Sequence, residues 1–341
     1  MNARKKPPAP GTTTVTEVAK MAGVSVSTVS RILNGSARVA DDKREAVEKA
    51  IAALNFKPNL FAQSLKRGSS MTVGVLVQAV ESPFFNETLR GIEDALSGTG
   101  YAPLIVSGHW NANEEAERIR LLSARRVDGL ILLSGHLDDE EVIAFSEHLP
   151  IIAAGRRLES PRAASLRLDN VEGGRLATRH LISLGHTRIA HISGPADHID
   201  AVERLSGYRL ALEEAGLAFD PGLVVQGDFR EGGGLLALNQ LLDRGHPFSA
   251  LFASNDQAAY GARLALYRRG IRVPEDISLI GFDDLPSSSY TTPPLTTIRQ
   301  PVYEMGCQAA RALLSLIAGK SVSLELPPLE LVIRETTQRL R

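Results

Sequence analysis

The residues whose types and spacing suggest a chemistry lie in the stretch 14–31, near the N-terminus. Two short helices are predicted there, joined by a tight turn at Gly23, and the second helix turns Val26, Ser27 and Arg31 outward. This arrangement is typical of a helix-turn-helix, whose second helix lies in the major groove of DNA. The predicted chemistry is therefore DNA recognition, although many helical hairpins with this periodicity never contact DNA.

Local signals delimit the helices that must position those side chains. Thr14 and Glu17 fit the S/T-x-x-E capping box, which satisfies the first free amides of a helix. Ser25 can cap the second helix, and its stop is expected at Asn34-Gly35. A third helix is predicted over about 41–54, with an apolar stripe that packs against the first two.

The charge distribution agrees with this prediction. Residues 1–70 contain 12 Lys and Arg against 5 Asp and Glu, whereas the remaining residues contain 26 against 34. A basic head attached to an acidic body suits a domain that neutralises phosphates. A merely solvated basic surface does not explain why the charge coincides with the helix-turn-helix.

The segment 56–67 (FKPNLFAQSLKR) is predicted to form a hinge. Asn59 can cap a short helix that carries Leu65, and the stretch 68–70 makes a flexible joint. Such a short helix is unstable in isolation. We expect it to order only when its copy from a second subunit, or DNA, packs on it.

From Met71 onward, apolar strand-like runs alternate with helical stretches. The runs are VGVLV (73–77), PLIV (103–106), GLILL (129–133), PIIAA (150–154), RIAHIS (188–193), LVVQ (223–226), ALFAS (250–254) and ISLIGF (277–282). Buried strands that alternate with helices predict parallel sheets covered on both faces. Two such series, around 73–164 and 165–290, predict two similar lobes with a ligand site in the cleft at the carboxyl ends of the strands.

Composition and missing patterns exclude several other classes of protein. No apolar run approaches the roughly 20 residues of a transmembrane helix, and the prolines of 1–11 fit a flexible arm rather than a secretory signal. Cys307 is the only cysteine, so no internal disulfide or cysteine-based metal cluster is possible. No Ser-His-Asp set or phosphate-binding loop stands out. We expect a cytoplasmic protein without cofactor, metal or catalytic residues.

Several separated motifs resemble the lac repressor/galactose repressor family of bacterial transcriptional regulators, from about Thr13 to Thr337. They are VTEVAKMAGVSVSTVSRILNG (15–35), NFKPNLFAQSLKRG (55–68), DNVEGGRLATRHLISLGHTRIAHISG (169–194), ASNDQAAYGA (253–262), VPEDISLIGFDD (273–284) and PPLTTIRQP (293–301). The resemblance implies a flexible arm (1–12), an all-α helix-turn-helix domain (13–58) and a hinge helix with its linker (59–70). A two-lobed α/β domain of the periplasmic-binding-protein type, for effector binding and dimerisation, occupies 71–341.

The resemblance assigns DNA-binding roles along the head and hinge. Val26, Ser27 and Arg31 match the major-groove readers, and Arg31 can make a bidentate contact to guanine. The resemblance implies that Leu65 enters the minor groove and opens a base step; packing of Leu65 against the lobes is the alternative. The family positions that contact phosphates or support the major-groove helix match Thr14, Ser25, Thr28, Ser30, Asn34, Arg38 and Asn59. Some of these residues only cap helices.

The resemblance also points to effector-binding residues in the cleft, with side chains suited to a polyol or sugar. They are Gln78, Phe85, Arg156, Arg204, Phe229, Asn255, Asp256 and Asp283. Each has a structural alternative: the Asn255-Asp256 pair can cap a helix, Asp283 can stabilise its loop, Arg204 can pair with an acid, and Phe229 can belong to the core. Many relatives carry an acidic residue where this chain has Gly155, so the hydroxyl pattern recognised here is expected to differ.

The resulting functional prediction is a repressor that a sugar effector, such as an α-glucoside or a sucrose-like sugar, releases from a palindromic operator. Tetramers in the family use a leucine heptad tail that is missing after 333–341, so a homodimer is expected. The alternatives are a corepressor-dependent regulator with a non-sugar ligand and a sugar-binding transport protein. The basic head and the missing signal sequence argue against transport, and an enzyme has only the cleft carboxylates in its favour.

Overall fold

The computed structural model describes residues 13–34, 39–56 and 68–340, and the chain divides into two compact units, 1–70 and 71–341. Several sequence-based predictions fall outside the described residues. These are the flexible arm, the Gly35 stop, the hinge helix, and the roles of Arg38, Asn59 and Leu65, together with the side chain of Asn34.

The first unit contains three helices, α1 (Val15–Met21), α2 (Val26–Asn34) and α3 (Asp41–Ala53). The predicted capping box of α1 is confirmed, since the Thr14 amide donates to Glu17 Oε2 at 2.7 Å and the Glu17 amide donates to Thr14 Oγ1 at 3.4 Å. Gly23 has a φ of +67°, the left-handed conformation expected at the turn. The small core that holds the three helices together is Val18, Ala19, Val29, Val47, Ala50 and Phe56.

The second unit contains two parallel sheets. Its strands are β1 (Thr72–Val77), β2 (Ala102–Ser107), β3 (Gly129–Leu133), β4 (Ile151–Ala154), β5 (Ala163–Leu166), β6 (Ile189–Ser193), β7 (Val224–Gln226), β8 (Ala250–Ala253), β9 (Ser278–Ile280), β10 (Thr297–Arg299) and β11 (Glu330–Val332). The first sheet has the order β2-β1-β3-β4-β5, and the second has the order β7-β6-β8-β9. A short antiparallel pair, β10 with β11, completes the unit.

Helices cover both sheets. They are α4 (Pro83–Leu96), α5 (Ala112–Ala124), α6 (Asp139–Ser146), α7 (Asn170–Ser183), α8 (Ile199–Glu214), α9 (Glu231–Asp243), α10 (Asp256–Arg268) and α11 (Val302–Ile317). The doubly covered parallel sheets predicted from the alternating pattern are therefore confirmed. Among the described residues, no helix is both long enough and apolar enough to cross a membrane.

The first lobe is not one continuous stretch of chain. Helix α11 follows the last strand of the second sheet, yet Ala309 and Leu313 pack with Val73 and Ile131 in the core of the first sheet. The sequence pattern predicted contiguous lobes, because an amphipathic helix does not reveal which sheet it covers. The chain therefore passes between the lobes after β5 and again before and after α11.

Glycines set the closest approach between helices. Gly91 on α4 lies against the backbone of α11, and Gly306 on α11 lies against the backbone of α4. Gly234 on α9 meets the backbone of α10 in the same way. A Cβ atom at any of these glycines would collide with a backbone carbonyl oxygen, which a flexible side chain cannot relieve.

Candidate functional site

Helix α2 presents the predicted reading face of the first unit. Val26 is 44% exposed, Ser27 and Arg31 are also exposed, and Val29 on the opposite face is wholly buried. Ser25 Oγ accepts the Thr28 amide at 3.2 Å, which caps the helix. The outward orientation of Val26, Ser27 and Arg31 is the one that contact with base edges requires.

Two of the predicted phosphate-contacting residues act as helix caps in the structure. Thr14 closes the capping box of α1 with Glu17, and Ser25 caps α2. The hydroxyl of Ser25 also lies 2.8 Å from that of Ser27 and 2.9 Å from that of Thr28. Contact of these side chains with phosphates stays a prediction.

A cavity of about 470 Å³ lies in the second unit, between the two sheets. Its walls come from loops that follow strands of both sheets: Trp110 follows β2, His136 follows β3, Asn255 follows β8 and Asp283 follows β9. The carboxyl ends of parallel strands are where ligands of such sheets bind. The volume is within the range of small-molecule sites, about 300–1,000 Å³.

Arg204 is a polar group of the cavity wall that is fixed by contacts on several sides. Its Nε donates to Asn170 Oδ1 at 2.8 Å, and its Nη1 donates to the Ser254 carbonyl oxygen at 2.6 Å. The guanidinium lies 3.8 Å from the centre of the Phe282 ring, and the residue is only 4% exposed. These contacts hold a cation in one orientation at the edge of the cavity.

Asp283 is the acid that pairs with Arg204, with Oδ1 at 3.8 Å from Arg204 Nη1. Its Oδ1 also accepts Gln300 Nε2 at 2.6 Å. Burial raises the pKa of Asp283 above its usual value, and the charge of Arg204 opposes that rise. The residue has a φ of +118°, a conformation that side-chain-bearing residues rarely adopt and that is found preferentially at functional sites.

Asn255, Phe229 and Phe85, which the resemblance assigns to effector binding, also line this cavity, and their contact with an effector stays a prediction. Asn255 Oδ1 accepts the Ala258 amide at 2.9 Å and so caps α10, while its Nδ2 donates to the Phe229 carbonyl oxygen at 2.8 Å. The cap role and the cavity position therefore coexist. Phe85 is mostly buried in the first lobe, where its ring lies edge-on to Phe84, 5.3 Å away.

Asp256 does not belong to the cavity wall. It is wholly buried, and its carboxylate accepts the Leu285 amide at 2.9 Å, Ser288 Oγ at 2.5 Å and Thr297 Oγ1 at 2.6 Å. Burial raises the pKa of Asp256, and these donors lower it. The residue holds together the loop that carries Asp283, so its position fits a structural role better than direct effector contact.

Gln78 and Arg156 also lie outside the main cavity wall. Gln78 is wholly buried; its Oε1 accepts the Trp110 amide at 2.9 Å, and its Nε2 donates to the Ser134 carbonyl oxygen at 3.3 Å. It therefore positions two wall residues. Arg156 pairs with Asp139 at 2.9 Å and lines a smaller neighbouring cavity of about 180 Å³.

Sequence reasoning missed the aromatic part of the wall. Trp110, the only tryptophan of the chain, lies 4.7 Å from the ring of His198, which lies 5.1 Å from Phe229. His198 Nδ1 accepts the Asp200 amide at 3.2 Å, and burial lowers the pKa of the histidine. Trp110 and His136 each follow the end of an observed strand by three residues, so the strand-end rule itself was the signal that could have found them.

Three histidines that lie near one another in the sequence each bond to a different partner in the second lobe. His180 Nε2 lies 2.9 Å from Thr337 Oγ1, His186 Nδ1 lies 2.8 Å from Ser249 Oγ, and His191 Nδ1 donates to the Phe252 carbonyl oxygen at 2.9 Å. In the described part of the chain, no group of three His, Cys, Asp or Glu side chains is placed to hold a metal ion.

Comparison with known proteins identifies the family. Residues 14–59 match the family described as bacterial regulatory proteins, lacI family. Residues 70–332 match the family described as periplasmic binding proteins and sugar binding domain of LacI family. The two matches coincide with the two parts of the chain that carry the reading helix and the cavity.

Individual relatives agree over nearly the full length. The ribose operon repressor of Escherichia coli (strain K12) is 38% identical over 93% of this chain and 97% of its own length. The lac repressor dimer bound to operator and the anti-inducer ONPF has a TM-score of 0.88, with 33% identity over 96% of this chain and 99% of that one. A complex of the transcriptional regulator CelR with cellobiose has a TM-score of 0.71, with 36% identity over 95% of this chain and 99% of that one. The chain therefore belongs to the LacI family of bacterial regulatory proteins.

Proposed function

We propose that the protein is a sequence-specific transcriptional repressor that binds a palindromic operator as a homodimer and is released by a sugar effector. The relatives described above are repressors and transcriptional regulators, and the lac repressor structure contains a dimer on operator DNA. None of the three is an enzyme by name.

The exposed face of α2 supports the DNA-binding part of the proposal. Arg31 offers a fork of donors for guanine, and Val26 offers an apolar contact for a thymine methyl group. A dimer with two-fold symmetry presents two such helices, which implies two inverted half-sites. The excess of basic residues in 1–70 supplies the phosphate contacts that set affinity.

The pair of Arg204 and Asp283 is the observation that carries the effector part. A fixed guanidinium and a carboxyl group lie 3.8 Å apart beside Asn255, and aromatic rings of both lobes form the remaining wall. Sugar hydroxyls both donate and accept hydrogen bonds, so they match such mixed partners, while the ring C–H faces match Phe229 and Trp110.

The effector would act by binding one arrangement of the lobes more tightly than another. Because chain segments before and after α11 connect the two lobes, a change in their relative orientation can be passed to the segment 59–70 of each subunit. We propose that only one arrangement allows the paired hinges, with Leu65, to fold in the minor groove. The effector changes operator affinity only by its differential affinity for the two states.

Within the sugar class we favour a disaccharide-sized ligand, with an α-glucoside or sucrose-like sugar as the first candidates. The CelR relative is a complex with cellobiose, which is of that size. The main alternative is a corepressor with a non-sugar ligand that strengthens operator binding instead of weakening it.

The test is an operator-release assay. A duplex is first selected from random sequences with the full-length protein, and its binding is followed by fluorescence anisotropy at fixed salt. Sucrose, maltose, cellobiose, glucose and ribose are then added separately. At least one should weaken operator binding by about 5- to 150-fold, the usual range of allosteric coupling. A panel in which no carbohydrate changes operator affinity would refute the sugar proposal, and strengthening by a nucleobase would favour the corepressor.

A further inference from the structure

The cavity of about 180 Å³ shares part of its lining with the main cavity. Residues from both lobes line the two cavities together: Trp110, Ser134, His136, Asp197, His198 and Asp200. Its volume is well above the roughly 10–15 Å³ that a single water molecule needs. It is therefore large enough to take part of a ligand that extends beyond the main cavity.

Aromatic rings form the partition between the two cavities. Trp110 lies 5.5 Å from His136 and 4.7 Å from His198, measured between ring centres. His136 and Trp110 come from the first lobe, whereas His198 comes from the second. Rings in this position can contact the apolar faces of two successive sugar rings, one on each side.

Gly155 leaves the small cavity open. It lines this cavity with a φ of +75°, and a Cβ atom there would have only Ser134 Oγ within 4 Å, at 3.8 Å. The space next to the backbone at this position is therefore empty of side chains. A larger residue at 155 would extend into it.

Arg156 is a basic residue in the wall of this small cavity. Its side chain is only 9% exposed; its Nη1 donates to the Leu137 carbonyl oxygen and, at 2.9 Å, to Asp139 Oδ1, but the buried Nε has no hydrogen-bond partner. These bonds hold the guanidinium in place beside the small cavity.

The charges around the cavity restrict the chemistry of that ligand. Asp197 and Asp200 line the same cavity as Arg156. Two carboxylates repel a phosphate group, whereas hydroxyl groups can donate to the carboxylates and accept from the guanidinium. The donor set therefore favours a neutral polyol over an anion.

We propose that the small cavity is a second sugar subsite, which holds the second ring of a neutral disaccharide whose first ring lies beside Arg204 and Asp283. The inference rests on the proposed sugar effector and specifies its size and charge. Trp110, His198 and Arg156 are then specificity-determining residues, and Gly155 is the position that admits the second ring.

The fluorescence of Trp110 gives a direct assay, because it is the only tryptophan of the chain and lies between the two cavities. The full-length protein is titrated with sucrose, maltose and cellobiose, with glucose and methyl α-glucoside as one-ring probes, and with glucose 6-phosphate as the anionic probe. The variant Gly155→Asn places a side chain in the small cavity, since asparagine tolerates positive φ better than most residues. The matched control is Gly216→Asn, at a φ of +67° with no atom within 4 Å.

The wild-type protein should bind one of the disaccharides at least about tenfold more tightly than either one-ring probe, a difference that corresponds to a modest second set of contacts. Gly155→Asn should remove that advantage and leave one-ring affinity within about twofold, and Gly216→Asn should change neither. Equal affinity for one and two rings, or a Gly155→Asn variant that behaves like the control, would overturn the second subsite while sugar-dependent operator release could still stand. Tighter binding of glucose 6-phosphate would overturn the neutral ligand, and no carbohydrate binding to the wild type would overturn both proposals.

Discussion

Replacement of Arg204 by methionine should destabilise the second unit, and the loss should grow with pH. Methionine keeps most of the volume but loses the bonds to Asn170 and Ser254, at 2.8 and 2.6 Å, and the charge 3.8 Å from Asp283. At a pH where Asp283 is ionised, removing one partner of a buried ion pair costs about 3–5 kcal/mol, because the remaining charge is left buried and uncompensated.

The sign of the pH dependence follows from Asp283. Burial raises the pKa of this carboxyl group in the folded protein, and Arg204 is the nearby charge that limits the rise. Without Arg204 the folded pKa rises further, while the unfolded value stays near 3.9. The folded state then holds a proton that the unfolded state has lost, so the free energy of unfolding falls with rising pH, by up to about 1.4 kcal/mol per pH unit. The free energy of unfolding falls over the pH range between the unfolded and the folded pKa of Asp283. Because the folded pKa is higher in the variant, the fall continues to higher pH in the variant than in the wild type.

Urea unfolding followed by circular dichroism, at about pH 6 and about pH 9, measures this effect. Arg204→Met should lose more stability between the two pH values than the wild type, and adding Asp283→Asn should remove the excess. Arg268→Met, an exposed residue on α10, serves as the control for arginine removal. If Arg204→Met showed the same pH slope as the wild type, the assigned coupling between the guanidinium and Asp283 would be wrong.

Four further predictions concern the head, the hinge, the cavity and the second-lobe core. Arg31→Ala should relax base preference and cost about 1–3 kcal/mol of operator affinity if its contact is bidentate, measured by anisotropy with single-base operator variants. Leu65→Ala should weaken specific operator binding while tryptophan fluorescence titrations show unchanged effector affinity; equal loss of effector affinity would contradict this division of labour. Asp283→Ala should weaken effector binding and spare operator binding, so that the operator stays bound at effector concentrations that release the wild type. His191 is wholly buried and its pKa is lowered to about 4, so the free energy of unfolding should fall by up to about 3 kcal/mol as pH drops from 6.5 toward 4. His191→Phe should lose that part of the acid sensitivity in urea unfolding and keep the part due to the buried His180, His186 and His198, whereas the exposed His148→Phe should keep all of it.

The helices of the head were predictable because their signals are local. Thr14 and Glu17 interact within one helical turn, and Gly23 ends α1 through its own backbone preference. The strands of the body were predictable for a related reason, since continuous apolar runs between helical stretches are typical of buried parallel strands. The predicted strand bounds therefore agree with the structure to within one or two residues, except for the short β5, β10 and β11.

The cavity was predictable only in part. The strand-end rule identifies the loops that hold Asn255 and Asp283, but not the direction of each side chain. Asp256 is adjacent to Asn255, yet it points into the core, where it accepts three hydrogen bonds. Sequence proximity cannot separate such neighbours, because the choice depends on where Ser288 and Thr297 lie in the fold.

The sequence by itself determined the helix-turn-helix, its outward residues Val26, Ser27 and Arg31, and the class of the body, because caps, turns and apolar periodicity act over a few residues. Only the tertiary structure decided which lobe α11 covers and which side chains meet across the cleft. The contact of Trp110 with His198 joins loops almost 90 positions apart and from different lobes. Such contacts follow from how the sheets are placed against each other, and no local pattern in the chain encodes that placement.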